Sequence, residues 1–352
     1  MSPRLTPGAD AEELRTVVRE FLLKHTEPAR DAERGWDPAT WRRFAVELGV
    51  AGLDVPEDRG GAGAGFREVA VVAEELGRSL ARLPWFGTAV LGVGVLLHAP
   101  GTDLLPSLLD GTTTATLAYR EHSQTRAAAD AHGDWFVSGE KVLVLEGATA
   151  DLLFVTAETA DGPSMFAVEA ALPEVSRRPA RAIDPNRQLA TVAFDSAPAV
   201  LLGPAAPVLE RVLLRASAAL AAEQTGGAAA AMEAAVDYAA HRLQFGRPIA
   251  TFQAIKHRCA DMAVEVEAAR SASLWAAAEL AEGTPEAARA AATAALVCGR
   301  AYRWVADENV QVHGGIGFTW EHSAHLHVRR ALSSAVLFEG SHGDALLDAI
   351  GV

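Results

Sequence analysis

Glu339 lies near the end of the chain in the stretch "LFEGSHGD", between an apolar run and two small residues, Gly340 and Ser341. A carboxylate at the edge of a buried surface can act as a general base, provided that burial raises its pKa towards about 6–7. The apolar run "VLF" before Glu339 is the kind of flank that such burial needs. This stretch alone leaves two interpretations open, a buried base and a solvated turn residue.

Two further motifs, "RLQFGRPIATFQAIKH" and "QVHGGIGFTWE", carry groups suited to binding a ligand. In the first, Arg242 offers a planar fork that matches a diphosphate, and Gln253 adds an amide. In the second, Gly314, Gly315 and Gly317 let backbone N–H groups approach a ligand closely. Taken alone, each motif is also compatible with an ordinary turn between helices and with solvated polar side chains.

The composition argues against several classes of protein. Half of the 352 residues are hydrophobic, which indicates a folded globular protein. The chain has 31 basic and 45 acidic residues, a net charge of −14, which argues against general binding to nucleic acid or to anionic membranes. Cys259 and Cys298 are predicted to be buried thiols, because their separation suits neither a disulfide framework nor a zinc site. Neither a signal-peptide run nor a span of about 20 apolar residues is found, so a cytoplasmic protein is expected.

Changes in residue pattern predict three domains. Residues 1–111 show helical periodicity, with a helix expected to run from Phe66 to near Pro84. Residues 112–203 contain short Val-, Phe- and Thr-rich runs separated by Gly, Asp and Pro, which predict an antiparallel, β-barrel-like domain. Residues 204–352 show long Ala-rich helix patterns that predict a four-helix bundle, although Gly226-Gly227 weaken the first of them. The predicted fold class is therefore mostly α with a small β-domain.

The order and spacing of these motifs resemble the acyl-CoA dehydrogenase family over essentially the whole chain. "RLQFGRPIATFQ" is similar to the family's R-x-x-F-G-x-x-I-x-x-x-Q segment, and "QVHGGIGFTWE" to its Q-x-x-G-G-x-G-(F/Y) loop. "FEGS" stands where the family carries Y-E-G-T, and "VPEDRGGAG" matches V-P-E-x-x-G-G-x-G.

The resemblance implies a bound FAD and an acyl thioester substrate, carried on CoA or on an acyl carrier protein. The FAD-binding residues that it implies are Arg242, Phe245, Gln253, Gln311, Gly314, Gly315 and Ser341. In the family the first two motifs bind the FAD of a neighbouring subunit. A homo- or hetero-oligomer, dimer or tetramer, is therefore implied, with an electron-transfer flavoprotein as the electron acceptor.

The resemblance also assigns a role to Glu339. The family's base abstracts the proton α to the thioester carbonyl while the β-carbon gives hydride to flavin N5, and Gly340 leaves room for the thioester. Some members place the base on the long bundle helix instead. The corresponding stretch here, "RASAA", has no acidic residue, because Glu210 lies about two turns upstream and Glu223 more than one turn downstream.

The β-domain departs from the family pattern. The run "LAYREHSQTRAAAD" lacks the G-S-D of many relatives, and "KVLVLEGATAD" places Leu143 and Leu145 where relatives have a Trp and a Thr against the flavin. Two alternatives to the dehydrogenase therefore stay open. One is a flavin monooxygenase on the same scaffold, which does not need Glu339, and the other is a non-catalytic partner subunit of a heteromeric dehydrogenase.

The remaining polar cluster, "EHSAHLHVRR", favours a structural interpretation. For its three histidines a solvated helix face is favoured over a metal site, because no carboxylate or cysteine completes a ligand set. For Arg329 and Arg330, a phosphate contact and a basic helix surface are equally compatible with the pattern.

Overall fold

The computed structural model describes residues 5, 8–99 and 103–338 of the chain. Within this described part, the helices are α1 (Ala9–His25), α2 (Pro28–Arg34), α3 (Pro38–Glu47), α4 (Phe66–Ser79), α5 (Val93–His98), α6 (Leu105–Leu109), α7 (Ala205–His241), α8 (Gln253–Glu282), α9 (Ala287–His313) and α10 (Ala324–Ser334). The strands are β1 (Ala115–Ala118), β2 (Glu121–Ala129), β3 (Trp135–Leu145), β4 (Leu152–Thr159), β5 (Gly162–Glu169), β6 (Val175–Pro179), β7 (Leu189–Pro204), β8 (Leu243–Gln244) and β9 (Arg247–Pro248). A π-helical segment, Phe86–Gly92, precedes α5.

The described chain packs as two compact units. The helical unit contains the described residues up to Gly35, the segment Gly65–Arg82, and the described residues from Ser217 to Phe338. The β-unit contains Trp36–Ala64 and Leu83–Ala216. The predicted domain limits after residues 111 and 203 remain a prediction. The change from helices to strands falls between α6 and β1, and the change back to helices falls where β7 meets α7.

The β-unit is built around a barrel-like sheet. Its strand order is β1-β4-β2-β3-β7-β5, and β5 also pairs with β4, which closes the sheet on itself. The pairings are antiparallel except that β1 and β2 meet β4 in parallel. The inward side chains form one apolar cluster that includes Val137, Phe166 and Phe194. The predicted fold class, mostly α with a small barrel-like β-domain, is confirmed.

Two strands of this sheet were not expected from the sequence. Strand β2 reads "EHSQTRAAA", with few β-branched or aromatic residues, and seven of its nine residues are exposed. Strand β6 is only five residues long and is mostly exposed as well. Both are strands because they pair with longer neighbours, β2 with β3 and β6 with β7. Backbone pairing overrides weak local propensity here, since a strand's neighbours determine most of its stability.

Helix α7 is unbroken across Gly226-Gly227, contrary to the weakening that the sequence suggested. A Cβ at Gly226 would lie 1.9 Å from the carbonyl oxygen of Glu74, and a Cβ at Gly77 would lie 1.9 Å from that of Glu223. A Cβ at Gly227 would lie 2.5 Å from the ring of Tyr302. Gly77 and Gly226 therefore let the backbones of α4 and α7 touch, and Gly227 makes room for the Tyr302 ring on α9. Tertiary packing compensates for the low helix propensity of these glycines.

Helix α4 ends earlier than the sequence predicted. It stops at Ser79, not near Pro84, because Leu80 adopts a left-handed conformation with φ of 53°. A residue in this region commonly closes a helix, although it is usually Gly or Asn.

No helix in the described ranges is long and apolar enough to cross a membrane. Both cysteines are free thiols. Cys298 is buried as predicted, whereas Cys259 is partly exposed. Burial raises the pKa of the Cys298 thiol to about 12.

Candidate active site

The first motif folds as a helix end followed by a tight hairpin. The backbone N–H of Arg242 donates to the carbonyl of Tyr238, and the carbonyl of Arg242 accepts from Ile249 N–H at 2.8 Å. Strands β8 and β9 pair across Phe245 and Gly246, whose φ angles are 53° and 73°. Positive φ at both central residues is the mark of a two-residue hairpin turn. Gly246 thus serves the hairpin turn.

The hairpin presents its side chains outwards. Phe245 is 91% exposed and lies edge-on to Phe252. Arg247 stacks over Phe252, with its guanidinium carbon 4.3 Å from the ring centroid. Gln253 opens α8 on the surface, where its amide nitrogen lies 3.4 Å from His257 Nε2. The side chain of Arg242 is exposed and makes no ion pair with any described residue.

The second motif is an exposed glycine turn at the end of α9. Gly314 closes this helix with a φ of 64°, and its N–H donates to the carbonyls of Gln311 and Val310. Around both Gly314 and Gly315 no heavy atom lies within 4 Å of where a Cβ would be. The side chain of Gln311 is exposed and has no hydrogen-bond partner among the described residues. A ligand could therefore reach the backbone at Gly314 and Gly315 and the side-chain amide of Gln311.

Stacked aromatic rings bring the two motifs together. Tyr238, one turn before Arg242, has its ring centroid 4.3 Å from that of His313, which immediately precedes Gly314. His313 also contacts His322, whose ring centroid lies 4.2 Å from its own. An apolar cluster that contains Tyr238, Met262, Val312 and Val328 supports the stack from α7, α8, α9 and α10. The structure thus places Arg242, Phe245, Gln253, Gln311, Gly314 and Gly315 at one end of the helical unit.

Glu339, Gly340 and Ser341 lie outside the described residues. The described chain leading to them is α10 and the turn after it, in which Leu337 and Phe338 are buried and Val336 is 45% exposed. Two of the three predicted apolar neighbours of Glu339 are therefore buried.

The two leucines predicted to face a flavin differ in environment. Leu143 is 42% exposed with a φ of 53°, within an irregular stretch of the β3–β7 pairing, whereas Leu145 is buried. Next to them Lys141 is fully buried, and its ammonium binds the carboxylate of Glu121 and the hydroxyl of Thr156. Burial lowers the pKa of Lys141, while Glu121 acts in the opposite direction.

The "RASAA" stretch of α7 carries a buried arginine that the sequence analysis did not single out. Arg215 forms a two-pronged ion pair with Asp54 and donates to the carbonyls of Ala89 and Val90, each at 3.0 Å. This side chain therefore ties α7 to the π-helical segment and to the loop that holds "VPEDRGG". Nothing in the sequence indicated that Arg215 is buried, because an Arg within an Ala-rich helix is usually exposed to solvent.

The "EHSAHLHVRR" cluster is more buried than predicted. His327 is buried and contacts the Tyr302 hydroxyl at 3.1 Å, so a solvated helix face was the wrong interpretation for this residue. Arg330 is buried and pairs with Glu223 at 3.2 Å, and the surface interpretation was wrong for it too. Arg329 is partly exposed and lies 4.9 Å from the ring centroid of Trp320.

Comparison with known proteins places this architecture in a family. The model of the acyl-CoA dehydrogenase N-terminal domain matches residues 8–105, and the model of the C-terminal domain matches residues 207–343. The chain is 33% identical over 341 residues to acyl-CoA dehydrogenase IpdE2 of Mycobacterium tuberculosis, with 95% of each chain covered. The chain belongs to the acyl-CoA dehydrogenase family.

Solved structures of acyl-CoA dehydrogenases agree with this assignment. The Tcur3481-Tcur3483 steroid ACAD G363A variant is 30% identical, with a TM-score of 0.86 and coverage of 99% of this chain and 100% of that one. The ChsE4-ChsE5 complex from Mycobacterium tuberculosis is 27% identical, with a TM-score of 0.88 and coverage of 99% and 98%. The family resemblance and the enzyme class, an oxidoreductase acting on CH–CH bonds, are confirmed.

Proposed function

We propose that this chain catalyses the FAD-dependent α,β-dehydrogenation of an acyl-CoA, with Glu339 as the base. The observation that carries the proposal is the stack of Tyr238 on His313, which joins the two ligand-binding motifs at one end of the helical unit. Arg242 and Gln311 extend from this end with donors that no described residue uses.

The residues at this end of the unit fit FAD. A diphosphate needs a bidentate cation and backbone donors, which Arg242 and the open turn at Gly314 and Gly315 supply. Gln253 and Gln311 add amides that can bind ribose or adenine, and Phe245 adds an exposed aromatic ring. Ser341 is the proposed contact from the segment after α10. When bound, FAD supplies the acceptor for the hydride that leaves the substrate β-carbon.

The same end of the unit supports an oligomer. Large apolar side chains stand exposed beside the ligand-binding groups, with Phe245 91%, Phe318 71% and Trp320 70% accessible. Contiguous exposed apolar residues rimmed by polar groups indicate a protein interface. A second chain covering them would complete the FAD site, and that chain is either a second copy or a related subunit, as the two-component name of the ChsE4-ChsE5 complex suggests for that relative.

Glu339 is proposed to take the proton α to the thioester carbonyl, and Gly340 to leave room for the thioester. Leu337 and Phe338, which directly precede Glu339 in the chain, are buried, and we propose that this apolar flank limits the hydration of the carboxylate. Limited hydration disfavours the charged form of a carboxylate and so adjusts it for proton transfer near neutral pH. Electrons would pass from the flavin to an electron-transfer flavoprotein. The steroid ACAD relative adds steroid-derived acyl-CoA esters to the substrates that merit testing.

Flavin bleaching tests the proposal. Purified protein with bound FAD is mixed anaerobically with a panel of acyl-CoA esters, and the flavin absorbance is followed in wild type and Glu339→Gln. The substitution preserves size and removes the base, so we expect unchanged flavin content and a rate lowered by at least about 10²–10⁴-fold. Wild-type bleaching by Glu339→Gln would show that the base lies elsewhere.

Glu210→Gln is the matched control, because Glu210 is an exposed carboxylate on α7, the helix that carries the base in some relatives. Its bleaching rate should equal that of wild type. The anaerobic assay also distinguishes the proposed dehydrogenase from a flavin monooxygenase and from a non-catalytic partner subunit. A monooxygenase would need O₂ for turnover and would not be reduced by the thioester, and a non-catalytic subunit would show no flavin absorbance.

A further inference from the structure

Three histidines lie on the glycine turn after α9 and on the chain that follows it. His313 immediately precedes Gly314, and its ring centroid lies 4.2 Å from that of His322. The ring of His325 contacts that of Trp320, with the two centroids 4.6 Å apart. All of these residues belong to the helical unit. The turn that is proposed to bind FAD is therefore bordered by side chains that can change their charge near neutral pH.

His322 supplies a hydrogen bond at the start of α10. Its Nδ1 accepts from the backbone N–H of Ala324, the first residue of that helix, at 3.1 Å. The side chain of Ser323, the N-cap residue, makes no capping hydrogen bond. Because the first N–H groups of a helix have no partner within it, the ring of His322 satisfies a donor that Ser323 does not. A ring nitrogen that accepts a hydrogen bond carries no proton, so the neutral ring holds its proton on Nε2.

Protonation of His322 would break this arrangement. The second proton goes onto Nδ1, where it would face the N–H of Ala324, and two donors cannot share a hydrogen bond. The new positive charge would also lie at the N-terminus of α10, where the helix dipole disfavours a cation. Burial, and then the nearby His313, lower the pKa of His322, so the ring is neutral in the folded protein above about pH 6.5.

The described groups that act on this ring are mostly basic. From α9 the ring meets His313, and from α10 it interacts electrostatically with His325. Arg329 donates to Nδ1 of His325 at 3.3 Å and adds a positive charge to the same group of side chains. Glu321, the preceding residue, is an exposed carboxylate, so water and salt screen its attraction for the ring. A proton on His322 would therefore add charge to a group of side chains that is already basic.

The ring of His322 is connected to the glycine turn through His313. Besides His322, the ring of His313 contacts Tyr238 of α7, with centroids 4.3 Å apart. A Cβ on Gly317 would lie 3.1 Å from the Cβ of His313, so the turn folds back closely onto this residue. Loss of the contact with His322 would leave His313, and the backbone of Gly314 that follows it, held less firmly.

A protonated His322 would have two opposing effects on the binding of FAD. A positive ring attracts a diphosphate, but a screened charge pair at a protein surface changes an equilibrium by only about 1- to 5-fold. Loss of a capping hydrogen bond changes an equilibrium by about 2- to 30-fold. Because FAD is proposed to bind the ordered turn, the loss of order reduces its affinity. The second effect is the larger, so acid should weaken the binding of FAD.

We infer that neutral His322 is a positioning residue for the glycine turn, and that protonation of its ring weakens the binding of FAD. The inference rests on the proposed FAD site at Gly314 and Gly315. His322 does not need to touch FAD, because it acts through His313 and through the start of α10.

FAD titration of the deflavinated protein at pH 7.5 and pH 5.5 tests the inference, with flavin fluorescence as the readout. For wild type we expect the Kd to be about 3- to 10-fold higher at pH 5.5, since one linked proton changes affinity by at most about tenfold per pH unit. His322→Asn places an amide oxygen where Nδ1 accepts, and this group does not titrate. Its Kd should be within about twofold of wild type at pH 7.5 and should change by less than about twofold at pH 5.5.

His322→Phe separates the hydrogen bond from the ring contact. Phenylalanine keeps an aromatic ring beside His313 but has no acceptor for the N–H of Ala324. Its Kd for FAD should therefore be raised at pH 7.5 by about 2- to 30-fold, and should be the same at pH 5.5. Thermal unfolding is measured in parallel. A His322 with a structural role alone would lower Tm in this variant and leave the Kd at the wild-type value, which would overturn the inference.

His98→Asn is the control for general effects of acid. His98 ends α5 in the β-unit, and its pKa is also lowered, by burial and then by Arg211 and Arg215. This variant should keep the wild-type change in Kd between the two pH values. Loss of that change in His98→Asn would assign the effect to acid destabilisation of the whole chain, against the inference.

Failure of the inference can be distinguished from failure of the proposed function. A wild-type protein that binds no FAD at pH 7.5 overturns both. If FAD binds but its Kd is the same at both pH values, or changes equally in wild type and His322→Asn, the proposed function stands and the positioning role falls. A wild-type Kd that decreases in acid would show that the ring attracts the diphosphate, and this result also overturns the inference.

Discussion

At the scale of single residues, Arg242 and Gln311 are proposed to bind a ligand because their polar side chains have no partner among the described residues. Both are exposed, and neither side chain has a hydrogen-bond or ion-pair partner among the described residues. By contrast, Arg330 and Arg215, which also lie in Ala-rich helical sequence, form ion pairs with Glu223 and Asp54 inside the fold. An arginine held in place by the backbone with its fork unused is the one suited to receive a diphosphate.

Replacing Arg242 by Lys tests that residue. Lysine keeps the charge and loses the planar fork, so FAD affinity should fall by about 1–3 kcal/mol, or about 5- to 150-fold in Kd. The measurement is FAD titration of the deflavinated oligomer followed by flavin fluorescence. Arg303→Lys, an exposed arginine on α9, is the control and should bind as wild type does. Equal affinity in Arg242→Lys and Arg303→Lys would mean that Arg242 is solvated and has no role in FAD binding.

At the scale of elements, the crossing of α4 and α7 depends on glycines. Gly226→Ala would place a methyl group 1.9 Å from the Glu74 carbonyl, so the two helices would have to separate. Overpacking of this kind costs about 1–3 kcal/mol, which exceeds the roughly 1 kcal/mol that Ala gains over Gly in a helix. We therefore expect a lower Tm for Gly226→Ala.

Gly299→Ala is its matched control within α9. There the nearest atom to the added Cβ is Gln224 Nε2 at 3.6 Å, an ordinary van der Waals distance. The helix-propensity gain should remain, and Tm should rise. A fall in Tm of the same size for both variants, measured by thermal denaturation, would argue against close backbone contact as the cause.

The histidine stack at the glycine turn predicts a pH dependence. Burial, together with the nearby His313, lowers the pKa of His322. The folded protein therefore binds a proton at His322 less readily than the unfolded chain does. Stability should be full above about pH 6.5, the ordinary histidine pKa, and should decrease as the pH falls below it.

Thermal unfolding at pH 7.5 and pH 5.5 measures this effect. Wild type should lose more Tm between the two values than His322→Gln, in which the titrating ring is absent. His325, whose pKa is lowered by burial and then by Arg329 and His322, contributes in the same direction, so the variant should retain part of the slope. Identical pH dependence in wild type and variant would exclude His322 as a source.

At the scale of the whole molecule, exposed apolar side chains beside the proposed FAD-binding groups support the proposal that the chain works as an oligomer. Phe318 and Trp320 follow the glycine turn and are 71% and 70% exposed, and Leu243 in the hairpin is 61% exposed. Burying such residues against another chain yields about 25 cal/mol per Å² of apolar area removed from water.

We predict that FAD and oligomerisation are lost together. Phe318→Asp should shift sedimentation from oligomer to monomer in analytical ultracentrifugation, and the monomer should lack flavin absorbance. Leu23→Asp is the control, because Leu23 is 76% exposed on α1, a helix that packs on α4. A monomer that keeps one flavin per chain would contradict the prediction.

Periodicity and motif spacing were sufficient to predict the mostly helical architecture, the small β-domain and the family. Local sequence carries this information because hydrophobic period, turn residues and glycine motifs act over a few neighbouring residues. For the same reason, the groups of the hairpin and the glycine turn could be named from their residue types before their placement was known.

Tertiary structure alone determined the contacts that depend on distant partners. Strand β2 forms because β3 pairs with it, α7 continues through Gly226-Gly227 because α4 touches it there, and Tyr238 meets His313 across two helices. The sequence around Arg330 is compatible with a surface cation, and only the structure shows that it is buried and paired with Glu223. The burial and pairing of a side chain depend on residues far away in the chain, so the residue pattern around it cannot predict them.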